Sequence, residues 1–269
     1  MTCLDSKIEI GGAITASTLY TSITSGAANT KGSYAELLAS SAVDAHSIIL
    51  YVAESASTSI ESFLIDLAVG AAASEQIIIP NFQYNQRSLY GEKVVSFIRL
   101  PFPIPAATRI SARCQSATAS AVVRMAVMVV SGSNDEIIGK VYDYGTLTAS
   151  SAGTSINAGA SANTKGSWTE LVASSAELKG LFVTIGPIAG GAQDAGFFLD
   201  IGIGAAASEQ VIIPNLHLWV ETDGSLISQG VWPIFWVPVP AASRIAARVQ
   251  CTTADATYRI VRVAAYGVA

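Results

Sequence analysis

The chain writes much of its sequence twice, and any fold it adopts has to accommodate that. "GAAASEQIIIPN" at 70–81 returns as "GAAASEQVIIPN" at 204–215, with one Ile/Val exchange. "ANTKGSYAELLASSA" at 28–42 returns as "ANTKGSWTELVASSA" at 162–176, and "IPAATRISARCQ" at 104–115 as "VPAASRIAARVQ" at 239–250. The first two pairs are offset by 134 positions and the third by 135, so the second copy gains one residue between these blocks. The blocks come in the same order in both halves. A two-copy repeat of this length is a duplicated domain, since solenoid repeats are far shorter. The halves 1–131 and 132–269 are therefore expected to fold alike, with the polar, turn-forming "SGSNDE" at 131–136 as their junction. About 130 residues are enough for each half to bury a core of its own.

Strands dominate the reading. In "FLIDLAVG" (63–70), Phe63, Ile65, Leu67 and Val69 share one face and Leu64, Asp66 and Ala68 the other. "FFLDIGIG" (197–204) repeats the alternation. Period two over eight residues marks a half-buried strand. "RISARCQ" and "RIAARVQ" alternate likewise, with Arg109, Ser111 and Arg113 outward in the first copy. "SIILYVA" (47–53) and "GLFVTIG" (180–186) are continuously apolar and suit central strands. The prolines of "PFPIP" (101–105) and "VPVP" (237–240) cannot donate to a ladder and belong to edges or extended segments. No segment shows a sustained, capped helical period. The expectation is an all-β chain of two tandem homologous antiparallel β-sandwich domains, jelly-roll-like, each of seven or eight short strands.

Charge and composition remove several classes of function. Lys and Arg number 15 against 20 Asp and Glu, a net charge of −5, with no basic run, so no nucleic-acid partner is expected. No stretch approaches 18 uninterrupted apolar residues, and the N-terminus lacks a basic segment followed by an apolar one, so neither membrane insertion nor a signal peptide is expected. Only 13% of residues are charged, where about 25% is ordinary. Two readings account for this: surface covered by other subunits, or a Ser/Thr-rich β surface that is polar without being charged. Cys3, Cys114 and Cys251 are an odd count without CxxC spacing, as free thiols in a reducing cytoplasm would be.

The candidate sites divide into repeated and divergent residues. His46 and His217 occupy non-equivalent positions, with no HxxxH, HxH or GxSxG, so neither a metal, a cofactor nor a catalytic residue is expected. "GAAASEQ" lacks the lysine and the following helix of a phosphate loop and reads as a strand–turn–strand connection, with Gly70 and Gly204 supplying permissive backbone angles. Asp66/Asp200 and Glu75/Glu209 recur together with Arg109/Arg244 and Arg113/Arg248. Cross-strand ion pairs account for that combination more simply than a pair of glycosidase carboxylates. On these grounds the chain is expected not to be an enzyme. The divergent segments 84–93 and 219–230, with the stretch up to 236, carry Tyr84, Tyr90, Trp219, Trp232 and Trp236. These aromatics are candidates for stacking on a sugar or anchoring a protein partner, or else for capping the ends of the sandwiches.

The blocks "NTKGSWTELVASSA", "FFLDIGIGAAASEQVIIPNL" and "VPAASRIAARVQ" resemble those of a largely uncharacterised group of tailed-bacteriophage and prophage virion proteins, over most of both halves. That resemblance implies a virion structural protein of the tail, baseplate, fibre or capsid exterior, assembled in the host cytoplasm with other virion proteins. It transfers no active-site residue. A homo-oligomer fits it, for instance a trimer whose two-domain subunits present six near-equivalent units. The alternative expectation is a module that binds a glycan or receptor on the host surface.

Overall fold

A computed structural model describes residues 7–11, 20–53, 61–86, 96–132, 136–186, 195–220, 230–253 and 260–269. In the first half the strands are β1 (Ile8–Gly11), β2 (Thr21–Thr24), β3 (Ala35–Leu38), β4 (Ser47–Ala53), β5 (Glu61–Val69), β6 (Gln76–Gln86), β7 (Ser96–Leu100), β8 (Ile110–Ser116) and β9 (Val122–Val130). In the second they are β10 (Val141–Tyr144), β11 (Thr146–Leu147), β12 (Ala152–Asn157), β13 (Thr169–Val172), β14 (Gly180–Gly186), β15 (Ala195–Ile203), β16 (Gln210–Val220), β17 (Ile245–Cys251) and β18 (Ile260–Val268). The alternating apolar segments are strands, and the fold is all-β.

Each half is a sandwich of two antiparallel sheets. In the first, the orders are β1-β9-β4-β7, with β2 also on β9, and β3-β8-β5-β6. From β3 onward the chain alternates between the sheets, passing once along the β5–β6 hairpin, which is the jelly-roll wrap. The second half repeats it: β10 and β12 flank one side of β18 and β14 the other, facing a sheet ordered β13-β17-β15-β16. Where β7 lies beside β4, the described residues of the second half show isolated bridges from Val231, Phe235 and Val239 to the β14 region. Three prolines at 233, 238 and 240 remove N–H groups from that stretch.

The repeated phrase at 70–81 makes a turn and then a bulge. Gly70 has φ +108° and Ala73 φ +66°; Gly204 and Ala207 match them at +117° and +65°. Beyond the turn, Ile65 pairs with Phe82 while Leu67 pairs with Ile79, so Pro80 and Asn81 together oppose Asp66. Two residues against one is a β-bulge, where a proline costs no ladder bond. Asn81 takes a left-handed φ of +46°, and Asn215 one of +50° at the same place.

The two sandwiches share buried surface. On β18, Val261, Val263 and Ala265 face the second core, while Ala264, Tyr266 and Val268 join the first, with Phe182 and Val231. The second half thus lays the outer face of its β10–β18–β14 sheet over the open side of the first sandwich, against the free edge of β6. Tyr266 is fully buried there. Its hydroxyl donates to the Asn81 carbonyl at 2.7 Å and accepts from the Gln83 N–H at 2.8 Å. A strand edge that would otherwise offer bare backbone is closed by a phenol. The Gln83 side chain lies over Gly153 and Gly186, where a Cβ would collide with it. Asn81 Nδ2 donates to Asp143 at 2.8 Å and Asn85 Nδ2 to the Ile185 carbonyl at 2.6 Å.

Candidate functional site

The bulge and the outward strand positions build the same charged cluster twice. Asp66 Oδ1 accepts from Lys31 Nζ at 2.8 Å and from the Asn81 N–H at 3.0 Å, and Oδ2 from Arg113 Nε at 2.9 Å. Asp200 accepts from Lys165 at 2.7 Å, the Asn215 N–H at 2.9 Å and Arg248 at 3.0 Å. Both lysines also cap a β5 or β15 carbonyl, Leu64 and Phe198. The outer plane of each guanidinium is covered by an aromatic ring, Tyr34 over Arg113 at 4.7 Å and Trp168 over Arg248 at 4.5 Å. This accounts for the phrase "NTKGS[YW]". Asn29 and Asn163 turn the chain at φ +57° and +58°, the lysine reaches the bulge carboxylate, and the aromatic covers the arginine.

Burial raises the Asp200 carboxyl, but hydrogen bonds from Lys165, the Asn215 N–H and Arg248 outweigh it and hold the group below the usual carboxylate range. Burial pushes Lys31 down, further than Asp66 pulls it up. With three donors on each carboxylate, Asp66 and Asp200 tie the bulge to β8 or β17 and to the lysine loop. A second pair of clusters stands at the turn. Arg109 binds Glu36 at 2.9 Å and Glu75 at 3.1 Å, and Arg244 binds Glu170 at 2.8 Å and Glu209 at 2.7 Å. Each arginine also donates to the carbonyl of the turn glycine, Gly70 or Gly204. The recurring acids and bases are thus brought together copy by copy. Lys31, Lys165, Tyr34, Trp168, Glu36 and Glu170 belong with them, and their signal in the sequence was their place inside a repeated phrase.

The candidate aromatics are not brought together. Tyr84 is corrected: it is 3% exposed, in the core of the first sandwich. It pairs with Phe63 across the β5–β6 ladder and shares that residue's inward face, as its equivalent Leu218 does in the second copy. Tyr90 lies outside the described residues. Trp232 is half-buried against the second core. Trp236 is 44% exposed in the proline-rich stretch, and Trp219 is 39% exposed on β16. His217 is exposed on the same strand, with its ring 5.1 Å from Phe198. An open depression of about 600 Å³ lies beside Lys31, lined by Ser22, Thr24, Gly26, Gly32 and Tyr34. Among the described residues no group of three or more His, Cys, Asp or Glu is placed to hold a metal ion.

One surface went unread in the sequence. The outer face of the β1–β9–β4–β7 sheet carries Ile8, Ile10 and Phe97 at 59%, 48% and 60% exposure. Ile49, Tyr51, Met128 and Val130 are half-exposed beside them. Tyr51 and Phe97 stack across the β4–β7 pair at 5.9 Å. The inner face of β4 and β9 is the sandwich core, and their outer face mixes these apolar residues with Ser47 and Arg124, while exposed Arg99 of β7 lies beside Ile49.

The chain matches no protein-family model and no curated protein. Among solved structures it is similar to PNGase F, a glycosylasparaginase from Flavobacterium meningosepticum, at 8% identity and a TM-score of 0.41, over 98% of this chain and 95% of that one. The expectation that the chain is not an enzyme is therefore withdrawn, because the structure it resembles is that of an enzyme. A likeness of that strength assigns no activity or substrate here.

Proposed function

We propose that the chain is a structural component of a tailed-bacteriophage virion, assembled with other copies of itself and with other virion proteins in the host cytoplasm. The observation that carries the reading is the apolar outer face of the first sandwich, with Ile8, Ile10 and Phe97 about half or more exposed. Large apolar side chains exposed together on one sheet face, with Arg99 beside them, are what an interaction surface presents. The residues repeated in both copies support the same reading, since their side chains are spent on bracing bulges and turns. The virion setting rests on the resemblance of the repeated blocks. Mass spectrometry of purified particles tests it: the chain is expected at a fixed copy number, and its absence from particles would overturn the assignment.

A second reading, attachment to a host-surface glycan, is favoured by the 39% and 44% exposure of Trp219 and Trp236. Trp236→Ala is then expected to weaken adsorption of particles to host cells at least tenfold, while unchanged adsorption would remove this reading.

A further inference from the structure

We infer that the contact joining the two sandwiches within one chain is repeated between chains. The edge of β16, the outermost strand of its sheet, docks on the outer face of the β1–β9–β4–β7 sheet of a second copy, head to tail. This rests on the self-assembly part of the reading above and names the surfaces that perform it.

The in-chain contact is heterologous: the β6 edge of the first sandwich sits on the outer sheet face of the second. Duplication gives each sandwich one edge and one face of this kind. Among the described residues, one edge and one face meet in this contact within the chain. The β16 edge and the first sandwich's face have no counterpart of this contact among the described residues.

Exposure follows that division. Gln83 is 1% exposed on the used edge, and its equivalent His217 is exposed. Asn85 is half-buried, and its equivalent Trp219 is 39% exposed. On the faces, ladder register makes Ile8 the equivalent of Val141, Ile49 of Phe182, Met128 of Tyr266 and Phe97 of Val231. Val141 and Val231 are each 3% exposed under the first sandwich, whereas Ile8 and Phe97 stand 59% and 60% exposed.

The chemistry of the leftover pair has shifted on both sides together. Within the chain, Asn81 and Asn85 on the edge meet Asp143, the Tyr266 hydroxyl and a backbone carbonyl. On the leftover surfaces Trp219 replaces Asn85, Ile10 replaces Asp143 and Met128 replaces Tyr266. The edge keeps Asn215 and gains Trp219, and the face gains Ile10 and Met128 where the other has Asp143 and Tyr266, with Arg99 exposed beside them. The glycine seat for Gln83 is not kept, since Ala53 stands where Gly186 does. The docking is the same in placement and different in side chains. A second copy of the chain is the occupant this argument selects, because it alone carries the matching edge. A heterologous contact repeated in this way closes into a ring or runs on as a filament.

The experiment uses the full-length chain and two exposed-site variants, Phe97→Asp on the face and Trp219→Asp on the edge, with masses read by light scattering. Unchanged far-ultraviolet circular dichroism and melting temperature establish that each variant folds, and Ile10→Lys serves as a second face variant. The wild type is expected to be a multimer and each variant a monomer. A mixture of the face and edge variants is expected to stop at a one-to-one heterodimer, because each retains only one working surface. A variant that keeps the wild-type mass, or a mixture that stays monomeric, overturns the inference while leaving self-assembly through another surface open. A monomeric wild type overturns both the inference and the self-assembly on which it rests. The virion assignment fails on a different result, absence from particles.

Discussion

At the scale of single residues, the buried Asp200 carboxylate bears on how the second copy responds to mutation and to acid. The Asp200 side chain is 4% exposed, while Lys165 and Arg248 are 18% and 30% exposed. Removing one partner of a fully buried pair costs about 3–5 kcal/mol. Water reaches the two cations here, so Asp200→Asn is expected to cost about 2–3 kcal/mol. The denaturant midpoint should fall with the m-value unchanged. The carboxyl is held below its usual value of 3.8 in the folded chain. Its contribution is therefore complete above the unfolded value and is lost as pH falls through the lower folded one. Between pH 5 and strongly acid solution (roughly pH 2), wild-type stability should drop more steeply than that of Asp200→Asn. Parallel curves would show that the carboxylate is not the group being titrated.

At the scale of elements, the turn and bulge of the phrase at 70–81 show what local sequence can specify. Ala73 holds a φ of +66°, where an L-residue is strained by about 1–2 kcal/mol. Glycine relieves that strain but loses about 0.4–1 kcal/mol to a freer unfolded chain. Ala73→Gly should thus stabilise by about 0.5 kcal/mol. Gly70, at φ +108°, lies where side chains are rarely accommodated, and an added Cβ would also stand 3.2 Å from the Ser74 carbonyl oxygen. Gly70→Ala should destabilise by about 1–3 kcal/mol. Opposite signs at two residues of one turn, read by thermal unfolding, are the check. The alternation of Phe63 to Val69 and the turn after it were legible because both are local. The role of Lys31 was not, since its carboxylate partner lies 35 residues ahead and is reached only when β5 folds beside the 26–34 loop. Tyr84 was misread for a related reason: aromatic residues near a divergent segment suggest a tip, yet Phe82 and Tyr84 continue the inward face of β6. The apolar outer face escaped notice because a strand buried on both sides and a strand with one side awaiting a partner read identically, as continuous apolar runs.

At the scale of the whole molecule, one phenol joins the two sandwiches, and the proposed contact between chains can be tested against that join. Tyr266→Phe keeps the ring against Phe82 and Phe182 but strips the Gln83 N–H and the Asn81 carbonyl of their partner. A buried group left unsatisfied costs about 1–3 kcal/mol, and here the bond spans the two sandwiches. Calorimetry should show a lower melting temperature and a broader transition, as the halves begin to unfold separately. The same interface supplies a ruler for the proposed contact between chains. Asn81 and Asp143 touch at 2.8 Å, so Asn81→Cys with Asp143→Cys, in a Cys3→Ser background, should be bridged within one chain by a short bis-maleimide without any gain in mass. Cys114 and Cys251 are buried, and burial pushes the Cys114 thiol up to about 12, so neither competes for the reagent. The equivalent positions across the leftover surfaces are Asn215 and Ile10. Asn215→Cys with Ile10→Cys should therefore bridge chain to chain and give a ladder on a denaturing gel. A ladder that ends at three chains counts a closed ring of six sandwiches, while one that continues indicates a filament. If the 215/10 pair, like the 81/143 pair, yields only monomer, the edge of one chain does not lie on the face of the next.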